Sequence, residues 1–397
     1  MGGLEHPHIT PELFCERDVV CQQLLKRRYP DVAIHSDIVD LFDPPSVDIV
    51  SGGWPCQDIS IAGRQVGLSG TRSGLFHELV RVSKQASAHT LILENVPNLL
   101  VINDGQDFEQ ILSTLTEEGF RYVSWRVLNA REFRLPQDRR RLFIVASRHR
   151  ERALALHSAI PNPETNSVES PASFGFYWTA GSRSLCCSPG YVPALKIGAS
   201  DERGRAPVAV FRGGVARKLS AMQFLSLQGF RDLPVDELSK ASLLRMAGNA
   251  VALPVGHFVF EAVETCAASV GVQSGFGAIR SSGFSDDGFV WMVSHNPPSL
   301  ATNLDDFLDD SGSELSEQAS AGLLVRAVRF GHRMPVELFD YLWSRASQQP
   351  EKIQPSRANS FVALEEMRTQ ILDYGRSLGG LDACGSDPVQ ESSPIHQ

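Results

Sequence analysis

Between residues 13 and 147, short apolar, β-rich runs alternate with stretches of helical spacing, and this alternation limits the fold more than any other feature. Residues 13–15, 47–51, 91–93, 122–128 and 142–146 predict strands, whereas 19–28, 75–85 and 107–118 carry apolar residues at three- and four-residue intervals and predict helices. Parallel neighbours need a crossover long enough to hold a helix, so such a chain builds βαβ units on a parallel sheet. Functional residues in these sheets gather just beyond the C-terminal ends of the strands. Cys56 and Glu94 both occupy such positions.

After residue 147 the periodicity fades into a Pro-, Ser-, Gly- and aromatic-rich region reaching to about 201, which predicts loops and short strands. Helical character returns at 221–227 and 243–246, and then in a helix led by Gly248-Asn249 that runs to about 267. Residues 271–320, rich in Ser, Gly, Asp and Asn, predict an acidic flexible linker. The stretches 321–346 and 361–378 have helix-like patterns with no motif attached to them.

The net charge of −9 argues against a nucleic-acid partner only if it is spread evenly, and it is not. Residues 271–397 hold 9 Lys/Arg against 17 Asp/Glu, leaving 28 basic and 29 acidic residues in 1–270. A local basic face is therefore available, and the Arg-dense stretch 131–152 is the candidate. Seven cysteines without paired-ligand spacing suggest neither a disulfide framework nor a metal site. No apolar run approaches the ~18 residues of a membrane span, and the N-terminus lacks a secretory layout. The expectation is a cytoplasmic protein with no membrane partner.

Three motifs carry chemistry. In Gly52-Gly53-Trp54-Pro55-Cys56-Gln57, a cysteine directly follows a strand on a tight turn, where a thiolate can reach a substrate. A lone cysteine is more often a small buried hydrophobe. Glu94-Asn95-Val96 places a carboxylate at the next strand end, facing the same cleft; an isolated glutamate there is more often a helix cap or surface group. Gln137-Asp138-Arg139-Arg140-Arg141 leads into a strand, so Arg139 and Arg141 are expected to share a face that binds a base carbonyl or phosphate. The ordinary reading of such a run is a solvated surface.

Together, in this order, these elements closely resemble the motifs of the DNA (cytosine-5) methyltransferase family, prokaryotic or phage type. The run Gly53 to Ser60, continuing through Ala62-Gly63-Arg64 to Arg72-Ser73-Gly74-Leu75-Phe76, resembles the family's catalytic motif and mobile loop. Glu94-Asn95-Val96 resembles its acid motif, and Asn129-Ala130 with Pro136 to Arg141 the two that follow. Arg217-Lys218-Leu219-Ser220 with Leu227-Gln228-Gly229-Phe230, and Gly248-Asn249-Ala250-Val251, resemble the last two. The resemblance covers residues 2–268.

It implies an α/β fold: a Rossmann-like S-adenosylmethionine-dependent methyltransferase sheet, a smaller target-recognition domain and a C-terminal extension. The catalytic and cofactor-binding domain would be 1–148 plus 246–270, the target-recognition domain 149–245, the linker 271–320 and the helical extension 321–397. The implied activity is methylation of C5 of a flipped-out cytosine in duplex DNA, with Cys56, Glu94, Arg139 and Arg141 as catalytic residues. Gly2, Gly3, Glu16, Asp37, Pro55, Asn249 and Val251 would hold S-adenosylmethionine, although Arg17 stands where the family often has an aromatic. Gln57, Ser60, Gly63, Arg64, Gln137 and Arg217 would meet DNA or close the loop. A monomer is expected, with a cognate restriction endonuclease as a further partner.

The family's first motif, a strand ending in a glycine-rich turn, is reduced here to Gly2-Gly3. The expected sheet therefore lacks its first strand, which points to an upstream start or to a decayed or split gene product. A catalytically impaired DNA-binding remnant and a transfer-RNA cytosine methylase of the same fold are the alternative readings; Asp58-Ile59-Ser60 favours DNA.

Overall fold

The computed structural model describes residues 8–55, 74–158, 173–178, 185–195, 208–231, 233–235, 238–266, 282–286, 289–292, 304–309, 311–347, 364 and 367–378. The first strand β1 (Leu13–Cys15) leads through α1 (Val19–Arg28) to β2 (Ala33–His35), with which it pairs in parallel. β3 (Ile49–Gly53), α2 (Gly74–Gln85) and β4 (Thr90–Asn95) form a second parallel unit. α3 (Gln106–Glu117) and β5 (Tyr122–Asn129) follow, then the two-residue β6 (Gln137–Asp138) and β7 (Arg140–Ser147).

β7 lies between β4 and β5 and runs antiparallel to both. The sheet is therefore mixed, not all parallel as the alternation suggested. The connection 130–139 is too short to carry a crossover helix, so β5 and β7 pair as antiparallel neighbours. Among the described residues β1 and β2 form their own two-stranded sheet, separate from the six-stranded sheet that ends on β3.

Alternation along the central strands assigns the two faces. Leu91, Leu93, Leu142 and Ile144 pack with Phe76, Phe108 and Ile111 of α2 and α3. Ile92, Phe143 and Val145 point to the opposite face. There they meet Val255, Phe258 and Val259 of α7 (Leu253–Thr265). A short helix α4 (Arg150–Leu154) leaves β7 on the way to the next region.

A second, four-stranded sheet is antiparallel, in the order β12, β11, β8, β9. Its strands are β8 (Phe174–Tyr177), β9 (Ser188–Pro189), β11 (Val208–Arg212) and β12 (Val215–Lys218). One further strand, β10 (Val192–Pro193), pairs with β6, Val192 opposite Gln137. This joins the segment that carries the second sheet to the connection between β5 and β7. α5 (Ala221–Ser226) and α6 (Lys240–Asn249) follow.

Gly248-Asn249 ends a helix and does not lead one. Ala250 is extended (φ −64°, ψ 150°), and α7 restarts at Leu253 with Pro254 in its first turn. Proline lacks the N–H that a helix interior needs, so one continuous helix is disfavoured. By length and apolarity Lys240–Thr265 could cross a membrane, but this break interrupts it and α7 buries Val255, Phe258, Val259, Ala262 and Val263.

Two boundaries drawn from composition do not hold. Within 271–320, β13 (Ser282–Asp286) pairs antiparallel with β5, and β14 (Phe289–Met292) pairs with β13. Leu304 and Leu315 are buried. Polar composition reports low hydrophobicity, not whether a neighbouring sheet edge offers unpaired backbone groups. Nor is the C-terminus a detached extension. α8 (Glu317–Phe330), α9 (Val336–Ser347) and α10 (Arg368–Arg376) share one apolar cluster with Phe174, Phe176 and Phe211 of the second sheet.

Candidate active site

The site is built where β3 and β4 end side by side, with Gly53 in register with Glu94. A Cβ on Gly53 would stand 2.9 Å from Glu94 Oε2 and 3.3 Å from its carbonyl oxygen, so glycine leaves the space the carboxylate fills. The next residue of β4, Asn95, is buried; its Nδ2 donates to the Trp54 carbonyl at 3.1 Å while its Oδ1 accepts from Val96 N at 2.8 Å. Trp54 is itself buried, its ring 5.3 Å from that of Phe76. Trp54, just before Pro55, is thereby fixed from the strand that carries Glu94.

Arg141, at the start of β7, reaches across to Glu94 with Nε 3.0 Å from Oε1, both side chains about one quarter exposed or less (21% and 24%). Burial pushes the Glu94 carboxyl up from its ordinary value, opposed by the positive charges of Arg141 and Arg139. The result is an acid that can hold a proton closer to neutrality than a surface glutamate.

Arg139 does not make the contact that Arg141 makes. It is 2% exposed, and its terminal nitrogens donate to Leu195 O (2.7 Å), Gly248 O (2.9 Å) and Ala250 O (2.7 Å). Burial, helped by Arg141 and opposed by Glu94, pushes its guanidinium down to about 9, still protonated at neutral pH. Gln137 is likewise withdrawn from any DNA surface. It is fully buried, donating to Leu227 O (2.9 Å) and Gln228 Oε1 (3.3 Å) and accepting from Leu195 N (3.1 Å). Gln228 Nε2 in turn donates to Ala247 O at 2.7 Å. This buried network joins the Arg-rich motif, the segments at Leu195 and Leu227, and the end of α6. Alternation along an extended segment could not foresee it, because Arg139 precedes β7 and its partners lie 56 to 111 residues away.

On the other side, Glu16 and Asp37 close the C-terminal ends of β1 and β2. Glu16 Oε1 accepts from Asp18 N at 2.7 Å, and Asp37 Oδ1 accepts from Val39 N at 3.1 Å. Arg17, in the place where an aromatic was expected, lies 3.8 Å from Asp37. Burial, then the charges of Asp37 and Glu16, push the Cys15 thiol up, which records how near the two carboxylates stand. An Arg245–Asp18 pair at 3.1 Å ties α6, which ends in exposed Asn249, to the cap of α1. Val251 follows in the break before α7. Cys56, Gln57, Ser60, Gly63 and Arg64, and likewise Gly2 and Gly3, lie outside the described residues; Pro55, exposed, is the last before them.

Residues 2–174 match the family model for C-5 cytosine-specific DNA methylase. The Type II methyltransferase M2.BsuMI of Bacillus subtilis (strain 168) is 30% identical over 356 residues, 82% of this chain and 90% of that protein. The chain belongs to the C-5 cytosine-specific DNA methylase family. Type II methyltransferase M.NgoBV of Neisseria gonorrhoeae is 37% identical over 156 residues, 37% of this methylase and 36% of its relative. Among solved structures, the Dnmt2 methyltransferase of S. pombe aligns with a TM-score of 0.45 at 12% identity, over 67% of this chain and 95% of that one. The assignment rests on the sequence relatives.

Two positions of this methylase that shape the site were not singled out beforehand as site residues. Asn95 was visible as part of a motif, but its grip on Trp54 needs β3 and β4 to be adjacent. Gly229 sits at φ +87°, in the left-handed region that favours glycine, and a Cβ there would meet Pro254 Cδ at 2.7 Å. It thus lets the chain after α5 turn directly against the start of α7. Arg217 of β12 faces Glu314, Nη2 to Oε1 at 3.8 Å, at the β12 edge of the second sheet.

Proposed function

We propose that this chain transfers a methyl group from S-adenosylmethionine to C5 of a cytosine flipped out of a specific duplex DNA sequence, through a covalent Cys56 adduct. The observation that carries the reading is the Glu94–Arg141 pair, seated against Gly53 and so beside the chain that leads into Cys56.

Cytosine C5 is a weak nucleophile. Addition of the Cys56 thiolate at C6 forms an S–C6 bond and moves electron density toward C5, while a proton from Glu94 at N3 keeps the ring from carrying a full anion. The raised carboxyl pKa suits that donation, and Arg141 holds the carboxyl in place. Once C5 carries the methyl group, loss of the C5 proton to water restores the C5–C6 double bond and expels the thiolate, and N3 returns its proton to the Glu94 carboxylate. A free thiol titrates near ~8.5, so the turn and nearby guanidinium groups must favour the thiolate. Reaching C6 requires the base to leave the duplex, at a cost of about a few kcal/mol.

The residues present fit the cofactor. Two carboxylates at the ends of adjacent parallel strands, Glu16 and Asp37, are acceptors suited to ribose hydroxyls and an adenine amine. Asn249, Val251 and Pro55, with Gly2 and Gly3, would hold the methionine end. When bound, S-adenosylmethionine supplies the electrophilic methyl group. Arg64 and the other loop residues Gln57, Ser60 and Gly63, with Arg217, are assigned to DNA; Gln137 and Arg139 are assigned to positioning. We further propose that the chain acts as a monomer, beside a restriction endonuclease of the same sequence specificity.

The test is transfer of labelled methyl groups from S-adenosylmethionine to duplex DNA, mapped by methylation-sensitive sequencing. Label in cytosine at one sequence is expected, with Cys56→Ser abolishing both turnover and a stable complex with 5-fluorocytosine DNA. Absence of transfer by the wild-type chain, or an adduct that persists in Cys56→Ser, would overturn the proposal.

A further inference from the structure

The arginine-rich stretch 131–152 does not form one surface, because its members meet different partners. Arg139 lies against backbone carbonyls, Arg141 against Glu94, Arg140 3.4 Å from Asp138 and Arg152 2.7 Å from Asp48. Arg131 and Arg134 have no carboxylate partner among the described residues. The two acids nearest to them in sequence are engaged elsewhere. Glu132 Oε1 accepts from Asn129 N at 3.2 Å in a capping box, and Asp138 Oδ1 accepts from Asn129 Nδ2 at 2.7 Å besides facing Arg140. Two cations on one turn are thus left unmatched.

That turn stands at the same end of the sheet as Glu94. Asn129, the last residue of β5, lies opposite Arg140, and Leu142 lies opposite Asn95, so the connection 130–139 leaves the sheet where β4 ends. Arg131 is half-buried, its guanidinium carbon 4.0 Å from the ring centroid of Tyr191, the residue before β10. A guanidinium over an aromatic face is fixed in direction while its N–H donors stay available at the rim, which suits a phosphate. Arg134 is exposed and sits in the left-handed region, at φ 59° and ψ 29°. Glycine takes that conformation freely and an arginine takes it under strain. Phe133, packed on Phe258, and the buried Leu135 hold the turn on either side, so the strain persists. What Arg134 adds over glycine at this position is an exposed positive charge, in a chain whose net charge is −9.

We propose that Arg131, aimed by Tyr191, and Arg134 bind phosphates of the DNA backbone beside the catalytic end of the sheet. The inference rests on the DNA reading above. It is tested with the purified full-length chain by fluorescence anisotropy of short mixed-sequence duplexes over a series of salt concentrations. Arg131→Gln and Arg134→Gly should each weaken binding by about five-fold and make the dependence of log affinity on log salt shallower by about 0.9, the share of one phosphate contact. Arg134→Lys should keep the wild-type slope. Arg134→Gly should also unfold at a urea midpoint no lower than wild type, because glycine relieves the left-handed strain, so its loss of affinity cannot come from a damaged fold. Tyr191→Leu should weaken binding, and Arg131→Gln/Tyr191→Leu should be no weaker than Arg131→Gln alone. Arg148→Gln removes the same charge just past Ser147, at the opposite end of the sheet, and should keep the wild-type slope. A wild-type slope in Arg131→Gln or Arg134→Gly, an equal change in Arg148→Gln, or additive losses in the double variant overturns the proposal. The Arg134 arm stands even where Arg131→Gln does not fold. A wild-type chain that binds duplex but transfers no methyl group sinks the proposed activity and leaves this inference standing; one that binds no duplex sinks both.

Discussion

The Nε of Arg141 lies 3.0 Å from Oε1 of Glu94, joining the start of β7 to the C-terminal end of its antiparallel neighbour β4. The pair is only partly exposed, so the carboxyl is raised by burial and restrained by its cation. Both effects bear on its use as an acid.

Glu94→Gln keeps the shape and removes the proton. A fall of about 10²–10³ in the single-turnover methyl-transfer rate is expected, in the usual range for a positioned acid. Wild-type rate should decline as pH rises through the raised carboxyl pKa, because the protonated form is the active one, and Glu94→Gln should lose that limb. The stability sign agrees: a folded-state pKa above the ordinary 4.5 gives stability that is full below 4.5 and declines as pH rises through the folded value. Denaturation midpoints across pH, wild type against Glu94→Gln, check it.

Gly53→Ala puts a methyl group 2.9 Å from Glu94 Oε2, and the carboxyl must shift. A displacement of about 1 Å at a reacting group can cost ~10²-fold in rate. The prediction is a loss of that order in kcat with a far smaller change in DNA affinity, read from single-turnover kinetics and anisotropy.

Arg139→Met should act on stability first. It strips three backbone carbonyls of their donor in a buried setting, at a cost of about 3 kcal/mol. Urea denaturation measures it. A variant as stable as wild type but chemically dead would return Arg139 to the catalytic role.

Leu342→Ala in α9 should cost about 3 kcal/mol, as expected for a fully buried leucine. Because α9 shares its cluster with Phe174 and Phe211, amide protection should fall in β8 and β11 as well as in α8 and α9. Protection lost in the helices alone would show an independent extension.

The amino-acid order alone determined the alternation of strands and helices, down to the limits of Leu13–Cys15 and Val19–Arg28, and the placing of the acid and the cysteine motif at neighbouring strand ends. Those features are local: periodicity records which face of a segment is apolar, and a strand end is marked by the residues that terminate it. The direction of β7, the addition of β13 to β5, the union of the C-terminal helices with the sheet of β8 and β11, and the commitment of Arg139 to Leu195, Gly248 and Ala250 were decided only by the tertiary structure. The type of a side chain tells what it can bond; which carbonyl stands in front of it depends on where the chain returns many residues later. Arg139 and Arg141 read alike as neighbours in a basic run, yet one meets a carboxylate and the other three backbone carbonyls because two distant loops close over only one of them.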